Sequence, residues 1–167
     1  MTTINLFVEN TYPQYKIDDV DIYNRALKIT NYFFDNEAVM SASCLADEKY
    51  TDVFFDIVLM NNEEIHQINK EYRKKDSPTD VITFAMFADS PKEERYIFDG
   101  EVHLGEIMVS LDKVEVQAKE NNVTFDDELN FIIAHGILHL LGFDHMSEPE
   151  YNFMVEMQNK AKAVLNV

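Results

Sequence analysis

Thr124-Phe-Asp-Asp127-Glu-Leu129-Asn-Phe-Ile-Ile-Ala-His135-Gly136-Ile-Leu-His139-Leu-Leu141-Gly142-Phe143-Asp144-His145 is the stretch on which this chain turns. Thr124 with Asp127 three residues later has the form of a capping box, with Asp in place of the usual Glu or Gln. It opens a helix expected over Leu129 to Leu141. That helix is apolar almost all round, so it belongs at the centre of the fold. A helix advances about 100° per residue, so His135 and His139 leave the same face one turn apart. Gly142 can take the left-handed conformation that ends a helix, and the returning chain then brings His145 towards the other two. Three neutral imidazoles on one point make a transition-metal site. Zn²⁺ suits them, one ion per chain. Three protein ligands leave a fourth position open, which marks a catalytic rather than a structural ion.

The same spacing occurs in the metzincin zinc proteases, H-E-x-x-H-x-x-G-x-x-H. The residue after the first histidine departs from that pattern. Gly136 stands where a protease has the glutamate that acts as general base, and without it peptide hydrolysis loses its proton acceptor.

Composition narrows the class. A chain of 167 residues, 46% hydrophobic and 12% aromatic, is expected to form one domain over residues 1–167. No apolar run approaches the ~18 residues of a membrane span. The start, Met1-Thr-Thr-Ile-Asn-Leu6, lacks the basic and apolar regions of a signal peptide. Cys44 is the only cysteine, which with no export signal favours a reducing cytoplasm. It is expected to be a small buried side chain. A net charge of −17 argues against general nucleic-acid binding. An RNA function therefore needs a local basic patch or the metal itself. Lys70, Arg73, Lys74 and Lys75 offer one such patch; a solvated helix end is the plainer reading on charge alone.

Periodicity predicts strands at Ile4–Val8, Val39–Leu45, Val53–Met60, Val81–Phe87 and Val102–Leu111. Helices are expected from Asp18 or Asp19 to Phe33, from Asn61 or Asn62 to about Tyr72, from Asp112 to Asn121, through the histidine stretch, and from Pro149 to about Leu165. Asp76-Ser-Pro-Thr79 is a turn signal, and residues 89–100 form the one clear loop. The expected class is α+β: a mixed or mostly antiparallel sheet of about five strands packed by about five helices, with the histidine helix central.

Three segments together resemble the YbeY family of bacterial endoribonucleases, also described as rRNA maturation factors. Asn69-Lys-Glu-Tyr72-Arg73-Lys-Lys-Asp76-Ser-Pro-Thr79-Asp80-Val81-Ile-Thr-Phe84 is similar to N-x-x-Y-R-x-x-D-x-x-T-D-V-L-S-F. Leu104-Gly-Glu106-Ile-Met-Val-Ser110 is similar to L-G-D-I-x-I-S, and the histidine stretch to H-G-x-L-H-L-x-G-Y-D-H. Gly136, foreign to the proteases, is this family's own residue. The departures are Glu106 for Asp, Thr83 for Ser, Phe143 for Tyr and Ala85 where Pro is common; none removes a metal ligand. The resemblance implies a single-strand-specific, metal-dependent endoribonuclease acting in maturation of the 3′ end of small-subunit ribosomal RNA and in ribosome quality control. It also implies zinc on His135, His139 and His145, a functional Arg73, and ribosomal or assembly proteins as partners.

The residue chemistry is compatible with this. Arg73 presents a planar, permanently charged fork able to bind phosphoryl oxygens in pairs. Asp144 can orient an imidazole or simply cap the helix end. Asp76 and Asp80 can brace Arg73 or the turn, the turn being the stronger expectation. Glu106 is a weak candidate for proton transfer, His66 is not expected to be a ligand, and His103 can face either the site or solvent. The nucleophile, water or the RNA's own 2′-hydroxyl, is not set by these residues. Two other readings stand beside this one. A metzincin-like zinc peptidase rests on histidine spacing alone. A non-catalytic RNA- or ribosome-binding assembly factor with structural zinc predicts that loss of one histidine unfolds the chain.

Overall fold

The computed structural model describes residues 1–166; Val167, the last residue of the expected domain, lies outside the described residues. Strand β1 (Thr3–Asn10) leads through helix α1 (Asp19–Phe34) and the single turn α2 (Glu37–Met40) to β2 (Asp52–Met60). Helix α3 (Asn62–Arg73) is followed by the short strand β3 (Val81–Phe84), the turn α4 (Met86–Asp89) and β4 (Glu101–Ser110). Helices α5 (Leu111–Glu120), α6 (Phe125–Leu140) and α7 (Glu148–Ala163) follow. The sheet order is β1-β2-β4-β3. The first three strands in that order are parallel and β3 is antiparallel to β4, so the sheet is mixed. Parallel neighbours need long connections, which α1 and the α3-to-α4 segment supply.

One face of the sheet carries the main core. Val53, Phe55, Ile57 and Leu59 alternate inward on β2, and Val102, Leu104, Ile107 and Val109 do so on β4. Helix α1 covers them with Ile22, Ala26, Ile29 and Phe33, and α6 with Leu129, Ile133, Ala134, Ile137 and Leu138, all at most 1% exposed. The histidine helix is therefore central, as its all-round apolarity predicts. A smaller cluster on the other face joins Ile65 of α3 to Met60 and Ile82.

The expected strand at Val39–Leu45 does not form, leaving four strands among the described residues. Asn36 caps α2 by accepting the Val39 N–H at 3.2 Å. The Ser43 hydroxyl donates to the Met40 carbonyl at 2.9 Å and accepts the Leu45 N–H at 3.2 Å. These short polar side chains satisfy the backbone locally, so the alternation of Val39 and Leu45 anchors turns instead of a strand. The expected strand to Phe87 ends at Phe84, where the Asp89 N–H returns to the Ala85 carbonyl at 2.8 Å. A bulge in β4 opposite explains the stop. Gly105 has φ +137°, and a Cβ there would lie 1.8 Å from the Phe84 carbonyl oxygen. The expected five longer helices are present, joined by the single turns α2 and α4.

Candidate metal centre

Helix α6 begins at Thr124, whose side chain accepts the Asp127 N–H at 3.1 Å, with Asp126, Asp127 and Glu128 in its positive first turn. It ends in the two hydrogen bonds of a Schellman turn: Gly142 N–H to the His139 carbonyl and Phe143 N–H to the Leu138 carbonyl, both 3.0 Å. Gly142 has φ +96°, a value that L side chains rarely adopt. The segment mistaken for a strand finds its role here. The Cys44 N–H donates to the Leu141 carbonyl at 2.8 Å, and the half-buried Cys44 thiol lies against the Leu140 carbonyl at 3.7 Å. Burial pushes that thiol up to about 11, which keeps it inert.

The turn does what the glycine spacing requires. One ligating atom each from His135, His139 and His145 lies within 4.8 Å of the others. The Nε2 atoms of His135 and His139 are 2.9 Å apart. Burial, reinforced by the neighbouring His139 and His145, lowers His135 from 6.5 to about 4. Burial also lowers His139. Both rings are thus neutral near neutral pH, the form in which an imidazole lends a lone pair to a cation. The donor set fits a metal ion of the borderline, imidazole-preferring kind.

The three histidines line a cavity of about 560 Å³ together with Arg73, Thr79, Asp80, Thr83, Asp89 and Asp144. Arg73 reaches it from the last turn of α3, where Lys74 takes a left-handed conformation (φ 58°) and turns the chain. Arg25 is tied to Asn130 and Arg95 to the Ala88 carbonyl; Arg73 makes no such bond among the described residues. Three carboxylates against one guanidinium make this cavity repel a phosphodiester by itself. A bound divalent cation would cancel that excess.

The other candidates sort by geometry. Asp80 Oδ1 accepts the Val81 N–H at 2.8 Å and the Thr79 hydroxyl at 3.2 Å, so it braces the turn at the cavity wall. Asp76 lies 2.7 Å from His66 Nε2, and that hydrogen bond, with Lys70 nearby, lowers its carboxyl. Neither holds Arg73. Asp144 accepts the His145 backbone N–H at 2.7 Å and orients the loop rather than an imidazole. His103 stacks on Phe54 with ring centroids 4.7 Å apart, outside the cavity lining, and Glu106 does not line it either. Lys70, Lys74 and Lys75 are exposed near Arg73 but beyond the cavity wall. Gly136 faces the sheet: a Cβ there would meet Ile107 Cγ2 at 2.8 Å. A protease's glutamate has no room at that position.

Sequence reasoning missed Gln158. It comes from α7, is 1% exposed, and places its amide nitrogen 2.6 Å from His135 Nδ1. No motif flags it, since it lies 23 residues from its partner.

The profile of the endoribonuclease YbeY family matches residues 14–166. An endoribonuclease YbeY of Lachnoclostridium phytofermentans is 43% identical over 143 residues, covering 77% of this chain and 87% of the relative. One from Bacillus pumilus is 47% identical over 106 residues, covering 62% and 67%. A solution structure of a Thermotoga maritima protein superposes with a TM-score of 0.58 at 27% identity, covering 96% of this chain and 87% of that one. With residues 14–166 matched by the family profile and its relatives covered over most of their length, this chain belongs to the endoribonuclease YbeY family.

Proposed function

We propose that this chain is a metal-dependent endoribonuclease of ribosomal RNA maturation, a single metallohydrolase domain that cuts single-stranded RNA at the 3′ end of the small-subunit RNA and serves in ribosome quality control. The observation that carries it is one open cavity lined by three converging histidines and by Arg73. His135, His139 and His145 would hold one Zn²⁺. When bound, that ion supplies Lewis acidity towards phosphoryl oxygen.

The chain's own groups do the rest. Arg73 binds non-bridging oxygens of the scissile phosphate and stabilises the charge that grows on them. Thr79 and Thr83 line the same cavity. Depressed basicity keeps His135 and His139 as neutral donors. Lys70, Lys74 and Lys75, just outside, give an incoming RNA strand a local positive path on a chain of net charge −17. The rest of the acidic surface disfavours extended duplex contacts. No helix is long and apolar enough to cross a membrane, and the workplace we assign is the bacterial cytoplasm, beside ribosomal or assembly proteins. The peptidase reading has nothing in its favour at Gly136.

Cleavage of a labelled single-stranded RNA by purified protein, with and without chelator, tests this. Arg73→Ala should keep the fold and Zn²⁺ binding and lose on the order of 10²-fold in rate. Equal cutting by wild type and Arg73→Ala would point to a contaminating nuclease and favour a non-catalytic assembly factor.

A further inference from the structure

Gln158 is a buried carboxamide with a single evident task. Its helix, α7, turns Met154, Met157 and Ala161 inward, and Gln158 is the polar residue in that buried row, 1% exposed. A buried amide without a partner is costly, so this one must be hydrogen-bonded. Its nitrogen sits 2.6 Å from His135 Nδ1, and His135 Nε2 in turn lies 2.9 Å from His139 Nε2. The sense of these contacts follows the tautomer of the ring: with the amide nitrogen donating to Nδ1, the ring carries its proton on Nε2 and donates it to His139.

A ring that gives Nε2 to a cation must carry its proton on Nδ1 instead, and then needs an acceptor where it formerly had a donor. An amide meets both demands by turning over, exchanging its NH₂ for its C=O. A carboxylate at this place would only accept, would fix the ring in one form, and would bring a charge into the core. We propose that Gln158 is the positioning residue of His135: it holds the ring in the proton-on-Nε2 form without metal, and in the proton-on-Nδ1 form when Nε2 is a ligand. A neutral partner also leaves the full charge of the ion for the phosphodiester, where a carboxylate would offset part of it. This rests on the metal reading of the three histidines.

The test uses chelator-stripped full-length protein with Zn²⁺ as the probe. Long-range ¹H–¹⁵N correlation spectra of histidine-labelled protein report which ring nitrogen is protonated, and competition with a chromophoric chelator reports affinity. Wild-type His135 should pass from Nε2–H to Nδ1–H on adding Zn²⁺. Gln158→Glu should show Nδ1–H in both states and bind Zn²⁺ at least as tightly. Gln158→Met, of similar length and unable to hydrogen-bond in this way, should bind it about 10- to 100-fold more weakly. An unchanged wild-type tautomer, or Zn²⁺ affinity of folded Gln158→Met within about twofold of wild type, would overturn the inference while leaving the metal site standing. If Gln158→Met does not fold, the wild-type spectra alone decide. A wild-type protein that binds no Zn²⁺ would remove the metal reading and this inference together.

Discussion

Gly136→Ala separates the packing role of this position from any catalytic one. The added methyl would stand 2.8 Å from Ile107 Cγ2, 3.0 Å from Cδ1 and 3.2 Å from Cγ1. Ile107 is fully buried in β4, so it has little room to yield. Overpacking of this kind costs about 1–3 kcal/mol. Replacing a mid-helix glycine returns about 1 kcal/mol of helix propensity. The net expectation is a loss of roughly 1 kcal/mol, measured as a lower urea midpoint with an unchanged slope. Ile107→Ala removes all three clashing carbons and alone costs about 2–5 kcal/mol. In that background Gly136→Ala should become stabilising, giving a coupling of about 1–3 kcal/mol across the double-mutant cycle. The reasoning fails if Gly136→Ala stabilises the otherwise wild-type protein by about 1 kcal/mol and the two changes simply add. Gly136→Glu should then be worse than Ala and should yield no activity on casein.

Three further outcomes follow from the geometry. In metal-free protein, His135 is held near 4 by burial and by His139 and His145, with Asp80 opposing, against 6.5 when free. Its folded value is depressed, so its contribution is complete above pH 6.5 and is lost as pH falls towards 4; the free energy of unfolding should drop by up to about 3 kcal/mol over that window, and a flat profile would contradict the burial argument. Gly142→Ala forces a Cβ into φ +96° and to 3.3 Å from the Cys44 Cβ, so stability should fall by about 1–2 kcal/mol and Zn²⁺ affinity with it, as read by thermal melts and chelator competition. Lys74→Glu with Lys75→Glu should weaken RNA binding and flatten its dependence on salt; because neither lines the cavity, cleavage at saturating RNA should persist, and unchanged binding would remove the patch from the account.

What could be read in advance follows the range of the interactions. The histidine triad lies within eleven residues, and its geometry follows from the helical period and one glycine, so His135, His139 and His145 converge as expected. The alternating strands β2 and β4 and the all-round apolar α6 were legible for the same reason: their burial is periodic along the chain. The false strand at Val39–Leu45 had the right alternation, but Asn36 and Ser43 offered its backbone closer partners. The early end of β3 depended on Gly105, twenty-one residues after Phe84, through a close approach that no local pattern encodes. Gln158 was invisible for the same reason, being joined to His135 only by the packing of α7 on α6. Asp76 and His66 pair across ten residues and a turn, which left their roles open until the turn was seen.

The central claim is that the three-histidine centre carries the chemistry. Chelator-stripped protein should be titrated with Zn²⁺ while the initial rate of single-stranded RNA cleavage is followed, beside His139→Ala prepared identically. The account predicts a rate that climbs from background to a plateau breaking at about one ion per chain, and a His139→Ala protein that stays folded and flat. Cleavage by the stripped protein at the full rate, or an equal rate from His139→Ala, would contradict it.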